Sequence, residues 1–379
     1  MKTRWDHFET SIFAKMSGLA KNCGAINLAQ GFPDFDGPED LVQGAVQSLQ
    51  SSQNQYAPSQ GILGLRSLIS ASYKKEYDLD YNCEKSVGVF SGATEAIWCC
   101  VLALVDYGEE VLAFEPFYDS YQGAAHAAYA KFSTIPLNSH DWSLNKEVFL
   151  EKVSRKTKLL ILNTPHNPTG KVFSKNDLDF IAEYAKKYDF YVLSDEVYEK
   201  LIYDDVQHTP IATLPQMWER TVTISSTSKT FGMTGWKIGY ACAPQRLLSA
   251  MLKVHQYTVF CSATPLQYGM IQAFHLNPQY YVDFKSDYQR RRDLLVNGLR
   301  SLGWKSHTPQ GSYFALAEIP GLKDDVSYAI ELTQKAKVAC IPVSSFCLSP
   351  LQSFIRFSFC KSEETLKSAL RSLRDYLGA

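Results

Sequence analysis

Short apolar segments alternate with longer amphipathic segments between about residue 87 and residue 241. Six apolar runs have the length of buried strands: Val87–Phe90, Val111–Phe114, Lys158–Leu162, Phe190–Leu193, Thr221–Ile224 and Ile238–Ala241. The segments between them carry apolar residues three and four positions apart, which is the spacing of one helical face. This alternation predicts an α/β domain with a mostly parallel sheet.

The segment 177–187 has the clearest helical pattern. Its apolar residues fall on one face: Leu178, Ile181, Ala182 and Ala185. Ser174 stands three residues before Asp177, where a hydroxyl can accept a hydrogen bond from the first turn. We therefore predict a helix with Ser174 as its N-cap.

The last hundred residues follow a different pattern. A long charged helix is predicted over 283–302 and an amphipathic helix over 363–377, with strands of a smaller sheet within 311–319, 338–346 and 354–359. The first 40 residues lack a strand–helix alternation, and we expect them to pack on the C-terminal part. The predicted division is a large domain, 41–279, and a smaller α/β domain formed by 1–40 and 280–379.

Composition and charge narrow the class of protein. The chain has 379 residues, which is more than one ordinary core needs. Hydrophobic residues make up 45% and charged residues 20%, as in ordinary globular proteins. A net charge of −1 argues against nucleic acid or an anionic membrane as a partner.

The cysteines indicate a reducing compartment. There are nine, an odd number, and no two are spaced as Cys-x-x-Cys. We interpret them as reduced core thiols and predict no metal site. The N-terminal segment has no apolar core of signal length, and no apolar run reaches the ~18 residues of a membrane helix. These features predict a cytoplasmic protein.

A polar or glycine-containing segment follows each of the first five predicted strands: 91–96, 115–121, 163–170, 194–198 and 225–229. The carboxyl ends of parallel strands lie along one edge of a sheet, where ligands bind. We therefore expect these five segments to converge on one ligand.

The chemistry of these segments suits a phosphorylated aromatic aldehyde. A turn at Gly92, Ala93 and Thr94 opens a predicted helix, and free N–H groups at a helix start bind phosphate. Further phosphate donors are Ser226, Ser228 and Lys237. The remaining candidates are Tyr118 to stack on a ring, Asp195 to pair with a protonated ring nitrogen, Asn167 and Tyr198 to donate to a ring oxygen, and Lys229 to form a Schiff base. Together they describe a site for pyridoxal 5'-phosphate.

At this point the sequence resembles a known family. Nine stretches match in order: 26–38, 54–66, 91–97, 115–121, 163–173, 194–199, 225–240, 254–260 and 354–359, among them "NTPHNPTGKVF" and "SSTSKTFGMTGWKIGY". They resemble the fold-type I pyridoxal-phosphate-dependent aminotransferases of class I/II, and most closely the methionine and kynurenine/glutamine aminotransferases. The resemblance implies a large domain with a mostly parallel seven-stranded sheet and a smaller α/β domain. One departure is Lys237, where many relatives have arginine; the kynurenine/glutamine branch has lysine there.

The resemblance also implies residue roles. Lys229 is expected to carry the cofactor and to move the substrate's Cα proton, with Asp195 and Tyr198 as its catalytic partners. Asn167 is expected to precede a cis bond to Pro168. Arg356 is expected to bind the substrate α-carboxylate with a bidentate fork, close to the backbone of Gly31. Tyr56 is expected to reach the phosphate of the neighbouring subunit, which makes a homodimer part of the site.

Each role has a structural alternative. Lys229 and Tyr56 could be surface residues, Asp195 a helix N-cap, Asn167 and Gly31 turn residues, Tyr118 and Tyr198 packing aromatics, and Arg356 half of a salt bridge. Phe117 competes with Tyr118 as the stacking ring. Only the nine matches together favour the functional assignment.

The substrate pocket is expected to be apolar. By resemblance Phe13, Phe32 and Phe260 lie near the substrate side chain, and no second matched arginine is found for a distal carboxylate. The expected reaction is ping-pong transamination, through aldimine and ketimine, between a neutral sulfur-containing or aromatic L-amino acid and a 2-oxo acid. Methionine, glutamine, phenylalanine and kynurenine are the candidate donors.

Three rival functions use the same residues differently. A cysteine-S-conjugate β-lyase would keep the cofactor and expel a leaving group. A non-catalytic regulator would need a DNA-binding segment ahead of the domain, and the matched region begins by residue 26. A cofactor-free Schiff-base lyase would not need the phosphate-binding segments.

Overall fold

The computed structural model describes residues 3–6 and 8–378. The helices are α1 (Ile12–Cys23), α2 (Glu39–Gln50), α3 (Leu63–Tyr77), α4 (Ala93–Leu104), α5 (Ser120–Ala127), α6 (Lys146–Lys152), α7 (Lys175–Tyr188), α8 (Thr227–Phe231), α9 (Gln245–Thr258), α10 (Thr264–Ile271), α11 (Gln279–Ser301), α12 (Asp325–Gln334) and α13 (Glu363–Leu377). In this described part of the chain, no helix combines the length and the apolar character that a membrane span requires.

The strands are β1 (Ile26–Asn27), β2 (Val87–Phe90), β3 (Glu110–Glu115), β4 (Lys131–Pro136), β5 (Thr157–Asn163), β6 (Tyr191–Asp195), β7 (Thr221–Ser226), β8 (Gly239–Cys242), β9 (Lys305–Ser306), β10 (Phe314–Glu318), β11 (Val338–Ala339), β12 (Ile341–Pro342) and β13 (Phe354–Ser358).

The large sheet has seven strands in the order β2-β8-β7-β6-β5-β3-β4. All neighbours are parallel except β8, which runs antiparallel to both β2 and β7. The expected mostly parallel sheet is therefore confirmed. The apolar runs missed β4, because this edge strand is exposed or half-buried over its first three residues and so lacks a continuous apolar run.

Helices cover both faces of this sheet. On β3, Val111 and Ala113 face one core cluster, whereas Leu112 and Phe114 face the other. Side chains on a strand alternate between faces, so a strand buried on both sides becomes apolar throughout. This explains why the central strands were recognisable as unbroken apolar runs.

The smaller sheet is antiparallel, in the order β12-β13-β10-β9. The stretch 338–346 was predicted as one strand, and this prediction is wrong. It contains β11 and β12 and ends in a 3-10 helix, Val343–Phe346. Pro342 closes β12, because proline has no N–H for a strand ladder.

Strand β1, in the N-terminal segment, pairs in parallel with β11 in the C-terminal part of the chain. This contact supports the expectation that the first 40 residues pack on the C-terminal part. The domain division at residues 40 and 279 stays a prediction. It is also supported by the sheets, since the large one lies within 87–242 and the small one within 305–358.

The helix predictions hold with small shifts in their ends. Ser174 caps α7, and its side chain and that of Asp177 form a reciprocal capping box. Helix α13 has the predicted bounds, whereas α11 begins at Gln279, four residues before the predicted start.

Candidate active site

A cavity of about 230 Å³ opens at the carboxyl ends of the large sheet's parallel strands, against the smaller sheet. Ten of the predicted site residues line it: Phe13, Gly31, Ala93, Thr94, Tyr118, Asn167, Asp195, Tyr198, Lys229 and Arg356. They come from segments up to about 340 residues apart in sequence. The expected convergence of the strand ends is therefore observed.

Lys229 lies in the short helix α8, which directly follows β7. Its Nζ is 5.6 Å from the ring centroid of Tyr313 and 5.9 Å from that of Tyr198. Burial lowers the pKa of the Lys229 amine to about 8, and the positive charges of Lys237 and Arg356 act in the same direction. About one-tenth of the amine is therefore neutral at pH 7, and a nucleophile or proton acceptor must be neutral.

Asp195 is the last residue of β6 and is almost fully buried. Tyr121 donates its hydroxyl proton to Asp195 Oδ2 at 2.5 Å. Burial raises the pKa of the Asp195 carboxyl to about 6, and the hydrogen bond from Tyr121 and the charge of Lys229 oppose that rise. The carboxyl is not a simple helix N-cap, because the residues after it form single turns instead of a helix.

Tyr198 lies in these turns, three residues after Asp195. It is buried and packs edge-on against Tyr313, with ring centroids 5.1 Å apart. Burial raises the pKa of the Tyr198 hydroxyl above its ordinary value, so the group remains a hydrogen-bond donor.

Two asparagines connect the strand ends. Asn163, the last residue of β5, donates to the Asp195 carbonyl at 2.9 Å and accepts from the Asn167 backbone N–H at 2.7 Å. The bond between Asn167 and Pro168 is cis, as the resemblance implied. The amide oxygen of Asn167 in turn accepts from Arg356 Nη1 at 3.1 Å.

Arg356 is fully buried in β13. Its Nη2 donates to the Ala29 carbonyl at 2.8 Å, and its guanidinium lies 4.0 Å from the ring centroid of Phe314. Its Nε has no hydrogen-bond partner among the described residues. Burial lowers the pKa of Arg356 to about 10, and no carboxylate forms a salt bridge with it in the described part of the chain. A buried, unpaired guanidinium that faces a cavity is suited to an anionic ligand.

Gly31 lies where a side chain has no room. A Cβ at this position would come within 2.8 Å of both Phe314 and Tyr313. The Tyr313 hydroxyl donates to the Gly31 carbonyl at 2.6 Å, which holds this backbone at the cavity wall. Phe13 lies nearby, with its ring centroid 5.1 Å from the Arg356 guanidinium.

The predicted phosphate-binding residues surround the start of α4. Gly92 is the N-cap residue, with φ of +85°, and a Cβ there would lie 3.1 Å from Lys237 Nζ. The Thr94 hydroxyl is 3.4 Å from the Tyr118 hydroxyl. Backbone N–H groups, a hydroxyl and an ammonium therefore meet at one helix start, an arrangement that suits an anion.

The two serines lie where β7 passes into α8. The Ser226 hydroxyl accepts from the Ser228 backbone N–H at 3.1 Å and caps α8. Ser226 also lines a second, smaller cavity on the side of Glu199 and Tyr240. Their expected part in phosphate binding stays a prediction.

Seven of the predicted residues do not line this cavity: Gly92, Ser226, Ser228, Lys237, Phe32, Phe260 and Tyr56. Phe32 is 42% exposed and its ring lies 4.2 Å from Lys361 Nζ, which also donates to the Phe32 carbonyl. The Phe32 side chain does not line the cavity. Phe260, 45% exposed, packs edge-on against Tyr56, which is 83% exposed. Within a single chain, the structure therefore does not support the assignment of Phe32 and Phe260 to the substrate pocket.

Other cavity residues were not singled out from the sequence: Gln30, Ile97, Tyr121, Asn163, Val197 and Phe314. Two of them carried a usable signal. Tyr121 lies three residues after Tyr118, which is a helical spacing, and Asn163 is the polar residue that ends its strand. Phe314 carried none, because its side chain enters the site from the smaller sheet.

Comparison with known proteins agrees with this geometry. Residues 24–373 match the family described as aminotransferase class I and II. The chain is 39% identical to a probable N-succinyldiaminopimelate aminotransferase of Mycobacterium tuberculosis, over 97% of this chain and 96% of that protein. The solved structure of the N-succinyldiaminopimelate aminotransferase from that organism superposes with a TM-score of 0.96, covering 99% and 100% of the two chains.

Relatives named for other substrates are nearly as similar. The methionine aminotransferase of Escherichia coli is 37% identical, over 96% of this chain and 95% of that protein. The human kynurenine–oxoglutarate transaminase 3 is also 37% identical, over 97% of this chain and 88% of that protein. Family, fold and cofactor requirement are common to these matches, so the chain belongs to the class I and II aminotransferases, which are pyridoxal-phosphate-dependent enzymes.

Proposed function

We propose that Lys229 is the residue that binds pyridoxal phosphate covalently and then transfers the substrate's Cα proton. The observation that carries this proposal is the position of its amine, which lies in a cavity wall with its pKa lowered to about 8. The structural alternative, a surface lysine, does not fit a side chain that lines a cavity together with Asp195 and Arg356.

The residues present fit the cofactor in their donor types. The helix start at Gly92, with the Lys237 ammonium beside it, suits a phosphate. Asp195 suits a protonated ring nitrogen, and Tyr198 and the Asn167 amide suit a ring oxygen. When bound, the cofactor supplies an electron sink for charge that develops at the substrate Cα.

Within this site each side chain has a separate task. Lys229 accepts the proton from Cα and returns it after the substrate has changed. Asp195 supplies a fixed negative charge, which Tyr121 orients through its hydrogen bond. Arg356 holds the substrate α-carboxylate, with its free Nε and the Asn167 side chain at the same position.

We propose that the preferred amino donor is a neutral sulfur-containing or aromatic L-amino acid, used in ping-pong transamination with a 2-oxo acid. Phe13, Ile97 and Phe314 give the cavity apolar walls. Among its described lining residues, the two cations are Lys229 and Arg356. With both assigned, no cation is left for a second substrate carboxylate, which disfavours aspartate.

We propose further that the enzyme is a homodimer in which Tyr56 completes the partner's phosphate site. The support is an exposed aromatic pair, Tyr56 and Phe260, whose rings lie 5.3 Å apart. Exposed aromatic residues in contact are typical of protein interfaces. We also infer a cytoplasmic location, because the nine cysteines are all unpaired thiols.

The covalent role of Lys229 is tested by borohydride reduction followed by mass measurement of the denatured chain. The wild-type chain should retain the reduced cofactor on Lys229, and Lys229→Ala should retain none. Retention of an equal mass by the variant would overturn the assignment.

The substrate class is tested with a panel of amino acids, each supplied with a 2-oxo acid. Methionine, glutamine, phenylalanine and kynurenine should give higher kcat/KM than aspartate. A preference for aspartate contradicts the proposed class. S-substituted cysteines should be transaminated faster than they release pyruvate and ammonia, and the opposite order would indicate a β-lyase.

A further inference from the structure

A cluster of metal-binding side chains lies outside the active-site cavity, between α4 and α9. Glu95 and Cys99 stand four residues apart on α4, and His255 faces them from α9. One ligand atom from each side chain lies within 4.8 Å of the other two. Residues at i and i+4 on one helix face can bind a metal together with a third residue from a neighbouring helix.

The contacts within the cluster converge on one carboxylate oxygen. Glu95 Oε1 accepts from His255 Nδ1 at 2.7 Å, from the Thr258 hydroxyl at 3.1 Å and from the Cys99 thiol at 3.8 Å. In a tetrahedral zinc site, bond lengths of about 2.0–2.3 Å separate neighbouring ligand atoms by roughly 3.3–3.8 Å. The side chains therefore need to move by less than about 1 Å to surround an ion.

Two of the three side chains are buried. The ring of His255 and the side chain of Cys99 have almost no exposed surface, whereas Glu95 is partly exposed. A cation held between them is shielded from bulk water, so its attraction to these ligands is stronger than at the surface.

The charge of the cluster selects the ion. A divalent cation that displaces the thiol proton meets one carboxylate and one thiolate, so the occupied site is electrically neutral. Thiolate, imidazole and carboxylate ligands together favour zinc over magnesium or calcium.

We propose that Glu95, Cys99 and His255 form a zinc-binding site that is separate from the catalytic cavity. On binding, the Cys99 S–H bond breaks, its proton passes to solvent and a sulfur–zinc bond forms. The proton on His255 Nδ1 moves to Nε2, so that Nδ1 and Glu95 Oε1 each give a lone pair to the ion. The exposed side of Thr258 leaves a fourth position open to its hydroxyl or to water.

The position of the site connects it to the cofactor-binding region without making it part of that region. The other oxygen of Glu95 accepts from the Ser91 backbone N–H at 2.5 Å, next to the helix start at Gly92. The proposed zinc ligand Glu95 thus directly follows Thr94 of the predicted phosphate site. None of the three zinc ligands has a role in the proposed transamination.

The test is zinc binding by the holoenzyme, measured as metal content after equilibration with zinc and removal of free ion. The wild-type protein should retain one zinc ion per chain, and both Cys99→Ala and His255→Gln should weaken binding by about 100-fold or more. The matched control is Cys100→Ala, a neighbouring buried cysteine outside the cluster, which should bind as the wild type does.

Thermal melting of every variant identifies any that fails to fold, and cobalt substitution of the wild-type protein gives an independent readout. Bound cobalt should show the ligand-field absorption of a tetrahedral site with a thiolate ligand. Two results would each overturn the proposal: no retained zinc in the wild-type protein, or equal retention by Cys99→Ala, His255→Gln and Cys100→Ala. A cobalt spectrum without a thiolate ligand would also overturn it.

Discussion

Removal of the Tyr121 hydroxyl tests how the site controls the charge of Asp195. The hydroxyl donates to Asp195 Oδ2 at 2.5 Å, and both groups are buried. Burial is the largest cause that raises the pKa of the Asp195 carboxyl, and this hydrogen bond is the strongest of the interactions that lower it. Tyr121→Phe keeps the ring and removes only the donor, so the pKa should rise above its present value of about 6.

The size of the rise follows from the strength of the bond. A hydrogen bond to a buried charged group contributes about 1.5–3 kcal/mol, and each pKa unit corresponds to about 1.4 kcal/mol. The carboxyl of the variant should therefore titrate roughly 1–2 units higher, near pH 7–8. At neutral pH, about nine-tenths of the wild-type carboxyls are ionised, against about one-tenth to one-half in the variant.

The assay is the pH dependence of cofactor affinity, measured by titration of the apoenzyme. If Asp195 must be ionised to pair with the cofactor ring, affinity should fall on the acidic side with a midpoint near pH 6 in the wild type. In Tyr121→Phe this midpoint should move up by roughly 1–2 units, and the two affinities should converge at alkaline pH. The matched control is Tyr118→Phe, whose hydroxyl contacts Thr94 instead and should leave the midpoint unchanged. An unchanged midpoint in Tyr121→Phe would refute the reasoning.

Three further predictions follow from the same geometry. Arg356→Lys should lower kcat/KM for amino acids by about 30–100-fold, because the bidentate hydrogen bonding of the guanidinium to the substrate carboxylate, worth about 2–3 kcal/mol, is lost. Cofactor content should stay unchanged, and a variant with wild-type kinetics would contradict this prediction. Gly31→Ala should lower the free energy of unfolding by about 1–3 kcal/mol, because its Cβ would come within 2.8 Å of Phe314. In the control Gly18→Ala, the new Cβ on α1 meets open space and should not destabilise the protein. The rate of cofactor capture by the apoenzyme should rise with pH through about 8, as the Lys229 amine becomes neutral, and a rate that is flat there argues against this pKa.

The large sheet was predictable because its central strands are buried on both faces, so their sequences are continuously apolar and their polar ends stand out. Asp195 and Lys229 could be assigned to one site on that basis, since the carboxyl ends of parallel strands share an edge. The edge strand β4 is exposed or half-buried over its first three residues, and strands β11 and β12 are only two residues long. Neither feature produces a pattern long enough to recognise.

The site was predictable to the extent that it depends on strand ends, and less so where it depends on side-chain direction. Phe32 follows the cavity residue Gly31 directly, yet its ring lies under the Lys361 ammonium and outside the cavity. The cluster of Glu95, Cys99 and His255 was missed for a related reason. It forms only when two helices that are far apart in sequence pack against each other, and motif spacing does not record that contact.

The cavity brings together charges that are costly to bury in the absence of a ligand. Burial opposes the charged form of each group, so the pKa of Asp195 rises to about 6, and those of Lys229 and Arg356 fall to about 8 and about 10. The first two values lie on either side of neutral pH, where small changes in the surroundings alter protonation. A phosphate at the Gly92 helix start and a carboxylate at Arg356 would each place negative charge beside these cations, and would offset part of that cost. The same electrostatics therefore favour a cofactor and an amino acid that each bring an anionic group to these cations.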